Sequence, residues 1–252
     1  MTFRNAEESH AHSLQTLNDF YEHDDFMASI RYLADIGCGS GLDLEWWATR
    51  TTRDESREPL NIDCIGVDLF PSLSAARKYN NITYQQTDFE ATIHPKLKTK
   101  FDVIWCHDAF QYAVDPLKTL RNWWDITSDG GMLAMVIPST TNVRRSLLDN
   151  TSPDLTYYHY TLVNLIHMLA VSGWDCNAGF FKKISNEPWI SAVVYKSQHQ
   201  PLDPKTTSWY QLCELNLLPE SAQLSVNKHG YLRQQDLILP WLDKSLIWYG
   251  NQ

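Results

Sequence analysis

Three groups of polar residues stand where short apolar runs end, and their types suggest a ligand site. The first is Asp35-Ile-Gly37-Cys-Gly39-Ser-Gly41. Glycines let a turn bend tightly and let backbone approach a ligand, and a helix starting there offers free N–H groups to an anion. The spacing departs from the dinucleotide fingerprint G-x-G-x-x-G, because Leu42 stands three places after Gly39. The second run ends Ile65-Gly66-Val67-Asp68, where an acid can accept hydrogen bonds from both hydroxyls of a ribose. The third ends Gln86-Thr87-Asp88-Phe89, where an aspartate can take the amino group of an adenine and an aromatic can flank the ring. Taken singly, each has an ordinary structural reading as a tight turn or a strand-end acid. Their recurrence at the carboxyl ends of three successive runs is much harder to dismiss.

The elements that must position these groups alternate. Arg31–Ile36, Ile62–Val67, Ile82–Gln86, Phe101–Cys106 and Met132–Ile137 read as strands, several of them continuously apolar as buried parallel strands are. Helices are expected at Leu42–Arg50, Pro71–Tyr79 and Pro116–Asp125, with Pro71 and Pro116 in first turns and Asp115 as an N-cap. Residues 138–156 read as a long polar loop. Leu162–Ser172 reads as a helix capped by Thr161 and ended by Gly173, and Trp174–Lys182 and Trp189–Tyr195 as an antiparallel hairpin. The fold class is therefore α/β: a doubly wound, Rossmann-like, seven-stranded sheet with five parallel strands and a terminal hairpin. Outside the core at 31–197 lie an N-terminal helical cap, 1–30, and a Trp- and Leu-rich extension, 198–252. That extension carries helical pieces at Trp209–Leu218 and Gln235–Tyr249 and suits packing on the core or self-association.

Composition narrows the function. Of 252 residues 43% are hydrophobic, enough to bury a core. The net charge of −9 argues against nucleic acid or anionic lipid as a partner, and Lys96, Lys98 and Lys100 read as a solvated face. The longest apolar stretches fall far short of a bilayer span, and no secretory signal is read. Five widely spaced cysteines without a CxxC suit a reduced, cytoplasmic protein. The His10-x-His12 pair and His23-Asp24-Asp25 lack a third spaced ligand, so they read as a solvated N-terminus and no metal is expected. The ten tryptophans read mostly as core and interface filler.

From Tyr32 to about Tyr195 the chain resembles the class I S-adenosylmethionine-dependent methyltransferases. The resemblance rests on the glycine turn with Asp35, on Asp68, on Asp88-Phe89, and on Phe101-Asp-Val-Ile-Trp-Cys-His-Asp. It continues through Asp115-Pro-Leu, Ser128-Asp-Gly-Gly-Met-Leu and Tyr157 to Trp174. It implies S-adenosyl-L-methionine as cofactor, held by Asp35, Gly37, Gly39, Gly41, Asp68, Leu69, Asp88, Phe89 and Cys106. It implies His107 as a candidate base beside the methyl group, the alternative being a packing or cofactor-contacting residue. Tyr21, Tyr112 and His159 are the candidate acceptor-binding residues, with aromatic packing as their ordinary reading. Phe110-Gln111-Tyr112 replaces the Leu-Glu-His of many relatives, so no acid or imidazole stands there. The Asn/Asp-Pro-Pro-Tyr/Phe and Pro-Cys motifs are absent, which disfavours methylation of DNA bases. Methyl transfer from a sulfonium is an in-line displacement with a neutral leaving group. Orientation is worth about 7–11 kcal/mol, and a base is needed only for a protonated acceptor. The reading is a methyltransferase acting on a small molecule or exposed polymer group. A non-catalytic binding or scaffold protein and a nicotinamide-dependent oxidoreductase are the alternatives.

Overall fold

The computed structural model describes residues 6–23, 29–52, 56–71, 78–91, 100–139, 158–183 and 189–233. Most of the expected helix Pro71–Tyr79, the loop after Ser139, the 184–188 turn, the Gln235–Tyr249 piece, Tyr157, Lys96 and Lys98 lie outside these residues. So do Asp24, Asp25 and the side chains of Tyr21 and His23.

Helix α1 (Ala6–His23) leads into β1 (Tyr32–Ile36), α2 (Leu42–Ala48), β2 (Asp63–Asp68), β3 (Ile82–Gln86) and β4 (Phe101–His107). A single 3-10 turn, Phe110–Tyr112, precedes α3 (Pro116–Ile126) and β5 (Thr127–Pro138). Then come α4 (Leu162–Val171), β6 (Trp174–Lys183), β7 (Trp189–Lys196), α5 (Trp209–Glu214) and α6 (Glu220–His229). The strands form one sheet in the order β3-β2-β1-β4-β5-β7-β6. Pairing is parallel from β3 through β5 and antiparallel at β5–β7 and β7–β6. Two reversals bring β6 back into line with the first five strands, so six strands run one way and β7 alone opposes them. The five strands paired in parallel and the terminal antiparallel hairpin are those expected from the sequence, with the hairpin entering the sheet through β7 beside β5.

Continuous apolar runs follow from burial on both faces. On β4, Val103 and Trp105 enter the cluster beneath α1 and α2, while Ile104 and Cys106 enter the one beneath α3 and α4. The caps are local chemistry. Asp115 accepts the Lys118 N–H with Pro116 at the first helical position, and Thr161 and Asn164 form a reciprocal capping box on α4. Gly173 ends α4 at φ +90°, and a Cβ there would lie 2.8 Å from the Trp124 indole nitrogen, which donates to the Gly173 carbonyl. The expected Trp209–Leu218 helix stops at Glu214. Its residues Leu212, Leu217 and Leu218, with Ala222 and Val226 of α6, join the core that holds α3 and α4. Leu217 accepts from Cys176 N, and the Arg121 guanidinium donates to the Leu202 carbonyl, so this segment is sewn to the sheet's helical layer.

Candidate cofactor and acceptor site

The chain winds outward from β1 through β2 to β3, then restarts at β4 and winds the other way to β5. The carboxyl ends of β1 and β4 therefore part around a crevice, where open α/β sheets take ligands. The glycine turn lies on one side of it. Gly37, Gly39 and Gly41 have φ of +74°, +48° and +80°, the left-handed region that glycine enters without steric penalty. A Cβ on Gly37 would stand 2.2 Å from the Ala109 Cβ, so the turn closes directly on the segment after β4. A Cβ on Gly39 would meet nothing nearer than the Gly37 carbonyl at 4.0 Å, which leaves room above the turn. Gly37 N donates to the Val67 carbonyl at 2.7 Å, fixing the turn to the end of β2. Asp68 accepts from Gly39 N at 3.0 Å and Phe70 N at 2.8 Å, so its carboxylate is oriented by backbone yet keeps lone pairs for a further donor.

Asp35 is the most exposed of these groups energetically and the least in space. It is 2% accessible, and its Oδ2 has no hydrogen-bond partner. Burial first, then the carboxylates of Asp43 and Asp68, hold its carboxyl well above the usual range. A buried acid without a compensating donor is costly, and a ligand bringing a cation or N–H group to this turn would remove the cost. S-adenosylmethionine carries an ammonium, a sulfonium, a ribose and an adenine, so the donor set present fits that group.

The other expected cofactor residues are distributed unevenly. Leu69 is 51% exposed just beyond Asp68, and Asp88 is exposed with its Oδ1 accepting Glu90 N. Phe89 turns inward, its ring 6.2 Å from Trp123. The Cys106 side chain is fully buried in the core on the α3–α4 side, where burial pushes the thiol up, so only its backbone could reach a ligand.

His107 closes β4 on the opposite face from Cys106, 7% exposed and beneath α1. Its Nε2 and the His12 Nδ1 are 2.9 Å apart, and the His12 ring lies 4.6 Å from Trp189. Beside this pair Asp43 gathers His10 Nδ1 at 2.5 Å, Ser13 Oγ at 2.6 Å and the Trp105 indole N–H at 2.9 Å. The His10-x-His12 segment is thus not a solvated N-terminus. An i, i+2 pair on a helix can dock edge-on when the neighbouring strand and helix supply an acid and an imidazole. Burial alone would raise the Asp43 carboxyl, but hydrogen bonds from His10, Ser13 and Trp105 and the charge of His107 outweigh it and lower it. Burial, only partly offset by Asp43, lowers the His107 imidazole to about 4.

Of the expected acceptor residues, Tyr112 and His159 stand on the other rim. Tyr112 ends the 3-10 turn, donating its N–H to the Ala109 carbonyl, and is partly exposed, as is His159. Tyr160 is buried, stacks on Phe110 at 5.3 Å and has a hydroxyl without a partner. Tyr21 lies on α1. Two residues that pattern reading passed over sit between the rims, Asp108 and Gln111. The Gln111 amide donates to the Asp108 Oδ1 at 2.7 Å and its carbonyl at 3.0 Å. Asp108 was visible in sequence as the first acid after β4. Asp43 was visible as an acid in the first turn after the glycines. Neither carries a spacing signature.

Residues 34–133, from within β1 to the start of the buried run of β5, match the methyltransferase domain family. Among curated proteins no sequence matches the chain. Solved structures share the fold at low identity. The N-methyltransferase NodS from Bradyrhizobium japonicum WM9, in complex with S-adenosyl-l-homocysteine, superposes with TM-score 0.53 at 14% identity, over 77% of this chain and 89% of that one. An O-methyltransferase family protein from Burkholderia thailandensis gives 0.52 at 14%, over 78% and 62%. The CurJ carbon methyltransferase gives 0.53 at 14%, over 77% and 55%. Residues 34–133 thus match a methyltransferase domain, and the sheet around them has the fold of solved S-adenosylmethionine-dependent methyltransferases. The match supports S-adenosylmethionine-dependent methyl transfer, and neither a non-catalytic scaffold nor a nicotinamide-dependent oxidoreductase is what it describes. The three neighbours are named for methylation at nitrogen, oxygen and carbon, so the shared fold does not select the acceptor atom. Among the described residues no helix is long and apolar enough to cross a membrane, and no group of three or more acids, histidines or cysteines could hold a metal ion.

Proposed function

We propose that the chain methylates a small-molecule acceptor in the crevice between β1 and β4, with cofactor and acceptor held by separate residue sets. The observation that carries this reading is the buried, uncompensated Asp35 carboxylate beside the open glycine turn. When bound, S-adenosylmethionine supplies an electrophilic methyl group on a cationic sulfur. Asp35 holds the cationic end of the cofactor, and the backbone of Gly37, Gly39 and Gly41 lets it approach. Asp68 takes the ribose hydroxyls, while Leu69, Asp88 and the backbone around Phe89 and Cys106 border the adenine. α1, which carries Tyr21, covers the crevice, fixed by Asp43 and His107, and Tyr112 and His159 on the far rim enclose the acceptor and exclude water.

His107 is the proposed proton acceptor. Desolvation keeps its imidazole neutral at physiological pH and so able to accept, at the expense of basicity. Near-normal turnover of His107→Ala would remove it from that role. A small molecule is favoured over nucleic acid by the net charge of −9. A reducing, cytoplasmic setting belongs to this proposal and is supported by five free thiols. Self-association would use the exposed Tyr210, Leu224 and Tyr231 of the C-terminal segment, and light scattering at two protein concentrations tests it. The function itself is tested by incubating the protein with methyl-labelled cofactor and a metabolite extract. Label is expected in a low-molecular-mass product, and label recovered only in macromolecules would contradict the reading.

A further inference from the structure

We infer that Glu90 is a positioning residue. Its carboxylate ties the outer rim at Val114 and Tyr158 to the segment proposed to border the adenine, so that cofactor occupancy sets where that rim stands. This rests on the methyltransferase reading and adds to it the side chain that joins the two halves of the site.

The first support is reach. β3 and β4 are separated in the sheet by β2 and β1, so at the usual strand spacing their ends lie about 14 Å apart. The segment that leaves β3 nevertheless meets the helix that follows β4. On α3 the Trp123 indole donates to the Phe89 carbonyl at 3.4 Å and the Asn122 amide to the Glu90 carbonyl at 3.0 Å. Residues 88–90 therefore bridge the two halves of the sheet that part at the crevice.

The second is chemistry. The Glu90 Oε1 accepts the Val114 N–H, and Oε2 accepts the Asp115 N–H at 3.0 Å. A carboxylate can accept on both arms, whereas a glutamine amide would turn its own N–H against one of the two donors. An ordinary helix cap does not account for this. Asp115 already caps α3 by accepting the Lys118 N–H at 3.1 Å, and the two N–H groups that Glu90 takes lie before the first helical residue, Pro116. Glu90 holds the approach to the helix, which is the rim itself.

The third is continuity. Asp88 Oδ1 accepts the Glu90 N–H at 2.9 Å. On the far side the Val114 carbonyl accepts the Tyr158 hydroxyl at 3.2 Å, and Tyr158 N donates to the Gln111 carbonyl at 3.3 Å. Hydrogen bonds and single backbone steps thus run from the acid proposed to take the adenine to the residue before His159. Val114 and Tyr158 are 61% and 41% exposed, so packing holds them weakly and these bonds set their place. A ligand that fixes Asp88 is then felt at Val114, which makes the two sites share a coupling free energy with a named carrier.

The test titrates S-adenosylhomocysteine into the full chain carrying 13C-methyl valine. The Val114 signal is assigned by its loss in Val114→Ala, and calorimetry reads the affinity. In wild type the Val114 methyl is expected to shift and saturate with the calorimetric midpoint. Glu90→Gln should keep S-adenosylhomocysteine affinity within threefold and lose at least half of the shift. Glu90→Asp, whose carboxylate stops one methylene short, should do the same, and it reads the same point if the glutamine variant does not fold. Asp115→Ala, which removes the α3 cap and leaves the Glu90 bonds, should lower the denaturant midpoint and keep the shift. A Val114 methyl that ignores bound S-adenosylhomocysteine in wild type would overturn the proposal, whether or not any variant folds. So would a full shift in a Glu90 variant, or a loss of affinity beyond tenfold there, which would put Glu90 in the cofactor site itself. Wild type that binds no S-adenosylhomocysteine would instead overturn the proposed function.

Discussion

Asp35, buried, and Asp43, largely buried, are carboxylates eight residues apart, one on each side of the glycine turn, and the protein treats them oppositely. Asp43 is met by an imidazole, a hydroxyl and an indole N–H, and its carboxyl is lowered. Asp35 keeps an oxygen with no donor at all, and its carboxyl is raised. A fold that satisfies one acid three times and leaves its neighbour short is not limited by a lack of donors. In the proposed function the difference separates an acid that fixes α1 to the core from one whose partner would arrive from solution. The region around Asp43 is completed by the fold; on the proposed reading the region around Asp35 would be completed by a ligand.

The strongest way to break this comparison is Asp43→Ala. It leaves His10, Ser13 and Trp105 without their acceptor in a site only 12% exposed at Asp43. Stability should fall by about 3–5 kcal/mol, read from the denaturant midpoint. A loss below about 1 kcal/mol would mean the latch holds little.

Next in size is the pH dependence of that same latch. The folded His107 imidazole titrates at about 4, below its ordinary 6.5, because burial disfavours the charged ring. Between those values the unfolded chain takes up a proton that the fold refuses. Stability should therefore fall as pH drops from about 6.5 to about 4, by about 3 kcal/mol in total. His12, also lowered by burial, adds loss in the same direction. In His107→Gln the dependence should flatten; an unchanged slope would place the titrating group elsewhere.

The smallest expected stability effect is at Asp35, and its sign is reversed. A carboxyl raised in the fold ionises first in the unfolded chain, so ionisation works against folding as pH rises past the ordinary aspartate range. Asp35→Asn removes that opposition, and its midpoint at pH 7 should equal or exceed wild type by about 1 kcal/mol. Cofactor affinity should nevertheless drop at least tenfold. A variant both weaker in fold and unchanged in binding would make Asp35 a structural acid like Asp43.

How much of this was legible from residues alone depended on the range of the interaction. β1, β2, β4 and β5 were readable because burial on both faces writes an unbroken apolar run, and α4 because Thr161 and Gly173 mark its ends locally. The positions of the proposed cofactor residues were readable for a related reason: Asp35, the glycines, Asp68 and Asp88 each sit at or just after a strand end, where position follows from the alternation itself. The latch was not, since His10 meets Asp43 across 33 positions and His12 meets His107 across 95. On α1 those histidines interrupt no periodicity and look like surface. Phe89 and Cys106 show the same limit in reverse, because a strand end fixes where a residue is but not which way its side chain turns.

The most direct test of the central claim is a calorimetric titration of S-adenosylhomocysteine into wild type, Asp35→Asn and Asp68→Ala. Binding is expected in wild type, at least tenfold weaker in each variant, with all three proteins cooperatively folded. Wild type that binds no S-adenosylhomocysteine, or variants that bind it as tightly as wild type, would contradict the claim that this turn is where the cofactor sits.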